Sequence, residues 1–173
     1  KHMIEGQDLI QLSKGTSSAR AFTVSFWVKT TTTGVYQLNA RTEGGRMCTG
    51  TYTVNSADTW EKKSVTIAAD TSGTIPNDNS RELDLEWWLV AGTDYTSGTA
   101  PTAWEAKADT DRAASLSHQM SSATSKDWAI TGIQLEVGSV ATPFEHRSRG
   151  DELNLCLRYY CNTISVYHSD YGG

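Results

Sequence analysis

The chain has 173 residues, which is enough for one well-buried domain and short for two. Acidic residues outnumber basic ones by 20 to 15, and the formal net charge of -5 argues against a binder of duplex nucleic acid, which needs a basic stripe to neutralise phosphates. Charged residues are only 20% of the chain and Trp occurs 6 times, which argues against a disordered tail or a coiled coil.

The sequence carries no signal for a membrane span, a secretory leader or a cysteine-based scaffold. No apolar run approaches the ~20 residues of a membrane helix, and the first residues lack the charged-then-apolar profile of a signal peptide. Cys48, Cys156 and Cys161 form neither a CxxC motif nor a Cys/His cluster, and three cysteines cannot all pair within the chain. We therefore expect no membrane insertion, no disulfide scaffold and no structural zinc site.

Alternation of apolar and polar residues with a period of two is the strongest local pattern, and it indicates strands half buried against a core. In residues 83–90, for example, the apolar Leu83 and Leu85 alternate with Asp84 and Glu86. About seven strands are predicted in chain order, namely residues 4–12, 21–29, 35–40, 48–54, 60–67, 83–90 and 128–137.

Turn signals such as Thr33-Gly34, Gly44-Gly45 and Ser72-Gly73 separate these strands. Strands that follow one another without alternating helices favour antiparallel sheets over parallel βαβ units. We therefore predict an all-β fold, an antiparallel β-sandwich of the jelly-roll type. The competing immunoglobulin-like sandwich would show a Cys, Trp, Cys spacing that is absent here.

Two segments depart from the strand pattern. Residues 91–126 are polar and too long for an ordinary connection, and such segments tend to be functional or to contain short elements. Residues 150–160 repeat Leu153, Leu157 and Tyr160 at helical spacing, which predicts a short helix. We divide the chain into a sandwich domain over 4–147 and a terminal part over 148–173, which contains the helix and a final strand or extended tail over 163–171.

A resemblance to a known family lies mainly in residues 128–160, which read WAITGIQLEVGSVATPFEHRSRGDELNLCLRYY. This block closely resembles the signature that ends a sandwich module of bacteriophage tail fibres and other phage structural proteins: ITGIQLEVG, then ATPFEHR, then a helix of the type GEELxLCxRYY. The motifs IEGQDL, SFWVK, SADTWE and WWLVAGTDYTSGT precede it in the same order as in that module. Asp151, where the family tends to have Glu, is a conservative departure.

The resemblance implies a non-enzymatic virion component, a distal tail or fibre module with a lectin-like or carbohydrate-binding-like jelly roll. It further implies a homotrimeric assembly with other tail subunits, a location in the virion and action outside the host cell. In the family the terminal part leads into further fibre segments, so residues 148–173 are interpreted as a connector.

The ATPFEHR block also has a physical interpretation. Pro143 fixes its own φ and biases Thr142 toward extended geometry, so the chain should leave the last strand without turning. We expect Phe144 to be buried and residues 145–147 to face outward. The block is interpreted as a structural clasp at the edge of the sandwich, with a ligand site as the alternative.

No catalytic residues are predicted. Asp84 and Glu86 share one strand face about 7 Å apart, a separation that inverting glycosidases use. Carboxylates on a strand face that we expect to be exposed to solvent are more often solubilising charge, and no nucleophile motif accompanies them. The chain is therefore predicted not to be an enzyme.

Binding of a host-surface glycan is the favoured activity, because aromatic rings can lie against the apolar face of a sugar while polar groups bond its hydroxyls. Trp27 and Trp88 fall on the polar faces of their strands, and Trp104 lies within the long polar segment. The proposed ligand-binding residues are Trp88, Trp104, Tyr95, Asp94 and Trp27. The remaining tryptophans considered, Trp60, Trp87 and Trp128, are assigned to the core.

Two further roles are considered. Calcium is a candidate cofactor because Glu5, Asp8, Asp127 and Glu136 lie near strand ends, although no calcium-loop motif is present and no ligands are assigned. The helical residues Leu153, Leu157 and Tyr160 are candidate assembly contacts, since a lone short helix is marginal unless it packs. A carbohydrate-binding module from a secreted glycoside hydrolase is the alternative to a phage fibre module.

Overall fold

A computed structural model of the chain describes residues 1–118, 120 and 125–157. Within this part of the chain, eight strands form two antiparallel sheets, and the few helices are short. The strands are β1 (His2–Glu5), β2 (Phe22–Thr30), β3 (Gly34–Thr42), β4 (Arg46–Val54), β5 (Glu61–Ile67), β6 (Arg81–Trp88), β7 (Glu105–Ala106) and β8 (Trp128–Val137).

One sheet has five strands in the order β1-β6-β3-β4-β7, and the other has three in the order β5-β2-β8. Each of the hydrogen-bonded pairs recorded between these strands is antiparallel. Among these eight strands the chain changes sheet five times, after β1, β2, β4, β5 and β7, so most pairings join strands that are not consecutive. The mostly β architecture predicted from alternation is confirmed.

The core lies where the apolar faces of both sheets contribute to one cluster. Phe22, Val24, Phe26 and Val28 of β2 are at most 2% exposed, as their spacing predicts. The ring of Phe26 packs edge-on against two rings of the five-stranded sheet, Tyr52 at 5.0 Å and Trp87 at 5.8 Å between centroids. Burial of one such phenyl ring is worth about 1.5–3 kcal/mol, and the edge-on geometry adds to it.

The two sheets make a close contact at Gly50 of β4. A Cβ atom built on Gly50 would lie 2.1 Å from Cγ1 of Val65 in β5, which is far inside van der Waals contact. Glycine is therefore required here because a backbone and a side chain from opposite sheets meet without room for a methyl group.

A bulge in β8 shifts the register of the three-stranded sheet. Ser25 pairs with Gln134 while Trp27 pairs with Thr131, so two residues of β8 lie opposite one residue of β2. Gly132 adopts φ +58° at this point, a left-handed conformation that glycine tolerates best. The bulge changes which β8 side chains reach the outer face of the sheet.

Several predicted elements differ from the structure. The segment predicted as a strand over 4–12 contains β1 only to Glu5 and continues as a 3-10 helix, Gly6–Leu12, which buries Leu9 and Leu12. The long polar segment contains the short helix α1 (Thr93–Thr96), β7 and a 3-10 turn, Asp109–Asp111. Alternation of apolar and polar residues could not predict α1, β7 or the 3-10 turn, because none of these three elements buries a residue in the core.

The predicted terminal helix is present as α2, Arg149–Leu157, and none of its residues is buried. Tyr160 and the predicted tail over 163–171 lie outside the described residues. None of the described helices has both the length and the apolar character that a membrane crossing requires.

We predict that Gly50→Ala destabilises the protein by about 1–3 kcal/mol, because the added methyl group must push the two sheets apart. Gly44→Ala is the matched control, since its Cβ would have only Thr42 Oγ1 within 4 Å, at 3.9 Å. Urea unfolding of both variants measures the effect. A Gly50→Ala protein as stable as the Gly44→Ala protein would contradict the packing described here.

Candidate functional site

The five residues proposed to bind a glycan fall in three separate environments. Trp88, Tyr95 and Asp94 lie together beside the five-stranded sheet, where the rings of Trp88 and Tyr95 pack at 5.4 Å between centroids. Trp104 packs against the core, and Trp27 lies on the outer face of the three-stranded sheet. These residues do not form one continuous site.

The rings of Trp88 and Tyr95 already contact a cation from the chain itself. The guanidinium of Arg112 lies over both, 5.0 Å from the Trp88 ring and 5.6 Å from the Tyr95 ring. Its Nη2 also donates to the Glu86 carboxylate at 3.1 Å. Both rings are half-buried, while Asp94 on α1 is exposed. A ligand that stacked on these rings would have to displace Arg112.

A buried polar layer lies beneath this stack on the outer face of the five-stranded sheet. The side-chain amides of Gln37 and Asn39 both donate to the Arg112 carbonyl, at 2.9 and 2.7 Å, and Gln37 accepts from the Ser115 amide at 2.8 Å. These bonds hold residues 111–115 against the sheet and satisfy amides that are fully buried. The long polar segment therefore covers this face.

The carboxylates predicted to face solvent, Asp84 and Glu86, are instead buried, at 2% and 6% exposure. Arg41 bridges them, with Nη2 2.5 Å from Asp84 and Nε 3.3 Å from Glu86. The prediction of exposure was wrong because alternation separates the two faces of a strand but cannot show that a distant segment covers the polar face. Here the pair forms part of a network of structural ion pairs.

Trp104 is held inside the fold by two backbone contacts. Its indole Nε1 donates to the Ala68 carbonyl at 2.6 Å, and its own carbonyl accepts from Arg46 Nη2 at 2.9 Å. Arg46 in turn makes a bidentate pair with the buried Asp70. These contacts place Trp104 away from the Trp88 and Tyr95 rings and give it a packing role.

Trp27 lines an open cleft on the opposite side of the molecule. The side chain is 41% exposed, and the cleft has a volume of about 260 Å³. Its walls are Trp27, Thr131, Gly132, Phe144 and His146, and the rings of Phe144 and His146 meet edge-on at 5.1 Å. Gly132 lies next to both Trp27 and Phe144, since a Cβ atom built on it would be 3.4 Å from the Trp27 ring and 3.8 Å from the Phe144 ring.

The ATPFEHR block, residues 141–147, which we call the clasp, lies across the outer face of the three-stranded sheet. Thr142 donates to Glu136 through both its amide and its hydroxyl, at 3.0 and 2.5 Å, and the Glu145 amide donates to Gln134 at 2.8 Å. Lys62 of β5 donates to the Thr142 carbonyl at 3.3 Å. The clasp therefore holds Phe144 and His146 beside Trp27 through bonds to neighbouring strands.

The same bonds fix the charge of one carboxylate. The hydrogen bond from the Thr142 hydroxyl, followed by one from Gln134, holds the pKa of Glu136 below its ordinary value. Glu136 therefore stays ionised at neutral pH.

A groove of about 510 Å³ adjoins Glu136. Its walls are formed by Ile133, Gln134, Leu135, Glu136, Thr142, Phe144, Glu145, Arg147 and Glu152.

Sequence reasoning missed part of this cleft. Phe144, predicted to be buried, is 38% exposed, because the extended clasp lays it on the outer face of the sheet instead of turning it into the core. Trp60, predicted to be core, is 44% exposed, since it precedes β5 instead of lying within it. The signal that could have located the cleft is Gly132 in β8, where a glycine marks a bulge opposite Trp27.

Two other predictions concern metals and assembly. In the part of the chain that the structure describes, no three His, Cys, Asp or Glu side chains come together as a group that could hold a metal ion. Calcium near Glu5, Asp8, Asp127 and Glu136 stays an untested hypothesis. On α2, Leu153 and Leu157 are 56% and 50% exposed and lie four residues apart on one face. These two leucines have no apolar cover within the described residues.

We predict that Arg112→Ala destabilises the protein by about 2–3 kcal/mol, because it removes the pair with the buried Glu86 and the cation between the two rings. Arg147→Ala is the control, since Arg147 forms a surface pair with Glu152 that contributes at most about 1 kcal/mol. Guanidinium unfolding followed by tryptophan fluorescence compares the two. Equal stability losses would contradict a structural role for the Arg112 stack.

No protein-family model, curated protein or solved structure matches this chain. The likeness of residues 128–160 to phage structural modules therefore stays a hypothesis drawn from the sequence.

Proposed function

We propose that this protein is a non-enzymatic structural module of a phage tail or tail fibre and contributes to the recognition of a glycan on the host surface. Two antiparallel sheets of five and three strands that share one core support the finer proposal of a jelly-roll β-sandwich. The motifs of residues 128–160 support the phage assignment, which places the protein in the virion and its action outside the host cell.

The observation that carries the binding proposal is the open cleft beside Trp27. Trp27, which is 41% exposed, lines the cleft together with a second exposed aromatic residue, Phe144, and the two present apolar surface on which the face of a sugar can stack. The imidazole of His146 and the hydroxyl of Thr131 lie in the same walls and supply hydrogen-bonding groups for sugar hydroxyls.

Among the residues first considered for glycan binding, Trp27 is the one we retain at the centre of the site. Trp88 and Tyr95 stack on Arg112, and Trp104 bonds to Ala68, so a ligand would have to displace existing contacts at each of them. Asp94 is exposed but belongs to the same surface as Tyr95. Phe144 and His146 replace these residues as partners of Trp27.

Assembly into a homotrimer with other tail subunits nearby is the second part of the proposal. Every residue of α2 is exposed, and a helix of nine residues is marginal in water without packing. Leu153 and Leu157 share one face, while Leu155 lines a cavity with Glu145 and Arg147 of its own chain. The leucines at 153 and 157 are therefore the candidates for contact with a second and third copy, in a connector to further fibre segments.

A carbohydrate-binding module from a secreted glycoside hydrolase is the alternative, and the same cleft would serve it. The two proposals differ in assembly, because a hydrolase module would be a monomer whereas a fibre module would be an oligomer through residues such as Leu153 and Leu157. Neither proposal assigns a catalytic group, a nucleic acid partner or a metal, and calcium remains an untested candidate.

We predict that Trp27→Ala weakens binding to host cells or to their surface glycans by about tenfold or more, because the stacking surface is lost. The loss in the free energy of unfolding should be close to that in Trp60→Ala, because Trp27 and Trp60 are similarly exposed, at 41% and 44%. Trp60→Ala is the matched control, because Trp60 is 44% exposed and does not line the cleft. Binding of both variants is measured on a glycan array. Equal losses of binding in Trp27→Ala and Trp60→Ala would contradict the proposed site.

We predict that the double variant Leu153→Ser, Leu157→Ser lowers the particle mass toward that of one chain, because it removes the apolar face of α2. Light scattering on the unaltered protein should give about three times the 18.9-kDa chain mass. Leu155→Ser is the control, since this residue lies on a different face of α2. A monomeric unaltered protein would instead favour the hydrolase module.

A further inference from the structure

The Trp27 cleft is not isolated, because Phe144 lines both it and the adjoining groove. The groove alone, at about 510 Å³, falls within the ~300–1,000 Å³ typical of small-molecule sites, and the cleft adds about 260 Å³ beside it. A ligand stacked on Trp27 and Phe144 can therefore extend past Phe144. A chain of at least two sugars fits this shape better than a single sugar does.

Several polar groups of the groove are already occupied by the clasp. Gln134 accepts from the Glu145 amide and donates toward Thr142 and Pro143, and Glu136 accepts two hydrogen bonds from Thr142. These side chains hold the clasp and have little capacity left for a ligand. The groups that remain at the groove are the side chains of Glu145, Arg147 and Glu152.

The charges of the groove are predominantly negative. Three carboxylates, Glu136, Glu145 and Glu152, line it, and Arg147 is the one cation among its lining residues, with Nη1 3.5 Å from Glu152 Oε1. Lys62, on the neighbouring strand, donates to the Thr142 carbonyl. The carboxylate of Glu145, which lines the groove together with Arg147, makes no hydrogen bond or ion pair with the described residues.

We infer that the site selects an uncharged oligosaccharide, two sugars or longer, over an acidic one, and that Glu145 and Glu152 set this preference. This inference depends on the proposed glycan recognition by Trp27. A carboxylate-bearing sugar that followed the groove from Phe144 would approach like charges, and salt would screen this repulsion because Glu145 and Glu152 are exposed. A neutral sugar meets the same carboxylates as hydrogen-bond acceptors.

The test uses the full chain and matched pairs of oligosaccharides that differ only in charge, such as galactose against galacturonic acid oligomers and glucose against glucuronic acid oligomers. Titration calorimetry at ~50 mM salt should show that the neutral member of a pair binds about tenfold more tightly than its acidic counterpart. The difference should narrow at ~0.5 M salt, where the Debye length is about 4 Å. Glu145→Gln and Glu152→Gln should each narrow the preference for the neutral member by about threefold or more, measured as the ratio of the two dissociation constants.

Glu105→Gln is the charge-matched control, because Glu105 is an exposed carboxylate on β7 of the other sheet. Equal or tighter binding of acidic oligomers, lost in Trp27→Ala, would overturn the charge preference and leave the proposed function standing. Binding that Trp27→Ala does not affect, or no binding by any pair, would overturn the proposed function and this inference with it. If Glu105→Gln changed the preference for neutral oligosaccharides as much as Glu145→Gln does, the preference would come from the net charge of the protein. That result would overturn the role of the groove.

Discussion

The close contact of two sheets through a single core is the constraint on which the rest of the structure depends. Gly50 and Val65 meet from opposite sheets without room for a methyl group, and Phe26 packs against Tyr52 and Trp87 of the facing sheet. Because each strand packs one face against that core, its other face must either be exposed to water or be covered by another part of the chain. Both solutions occur here, one on each sheet.

The outer face of the five-stranded sheet is covered. The side-chain amides of Gln37 and Asn39 bond to residues 111–115, and the guanidinium of Arg112 joins Glu86 to the rings of Trp88 and Tyr95. These bonds specify how the long segment docks, because a buried amide without its partner would be costly. The outer face of the three-stranded sheet is covered only in part, by the clasp, and the ring of Trp27 is left open beside Phe144. The exposed aromatic surface at Trp27 follows from that difference.

Alternation predicted the strands well, because a period of two reports directly on which side chains face the core. It could not predict the cleft. Asp84 and Glu86 were expected to face solvent, and they are buried by a segment that is distant in sequence. Phe144 was expected to be buried, yet the clasp lies flat on the sheet through bonds from Thr142 to Glu136 that no local pattern encodes. Trp27 could be assigned to the polar face, but its partners could not, because they depend on the bulge at Gly132 and on the path of the chain after β8.

The most direct test of this account is a two-dimensional amide spectrum of the isotope-labelled protein, in which each of the 6 tryptophans gives its own indole signal. The signals are assigned by single substitution and followed during titration with the neutral oligosaccharide that binds most tightly. The account predicts that the indole of Trp27 shifts while those of Trp88 and Trp104 stay in place. A shift at Trp88 with Trp27 unchanged would contradict it, because the ligand would then displace Arg112 on the sheet that we describe as closed.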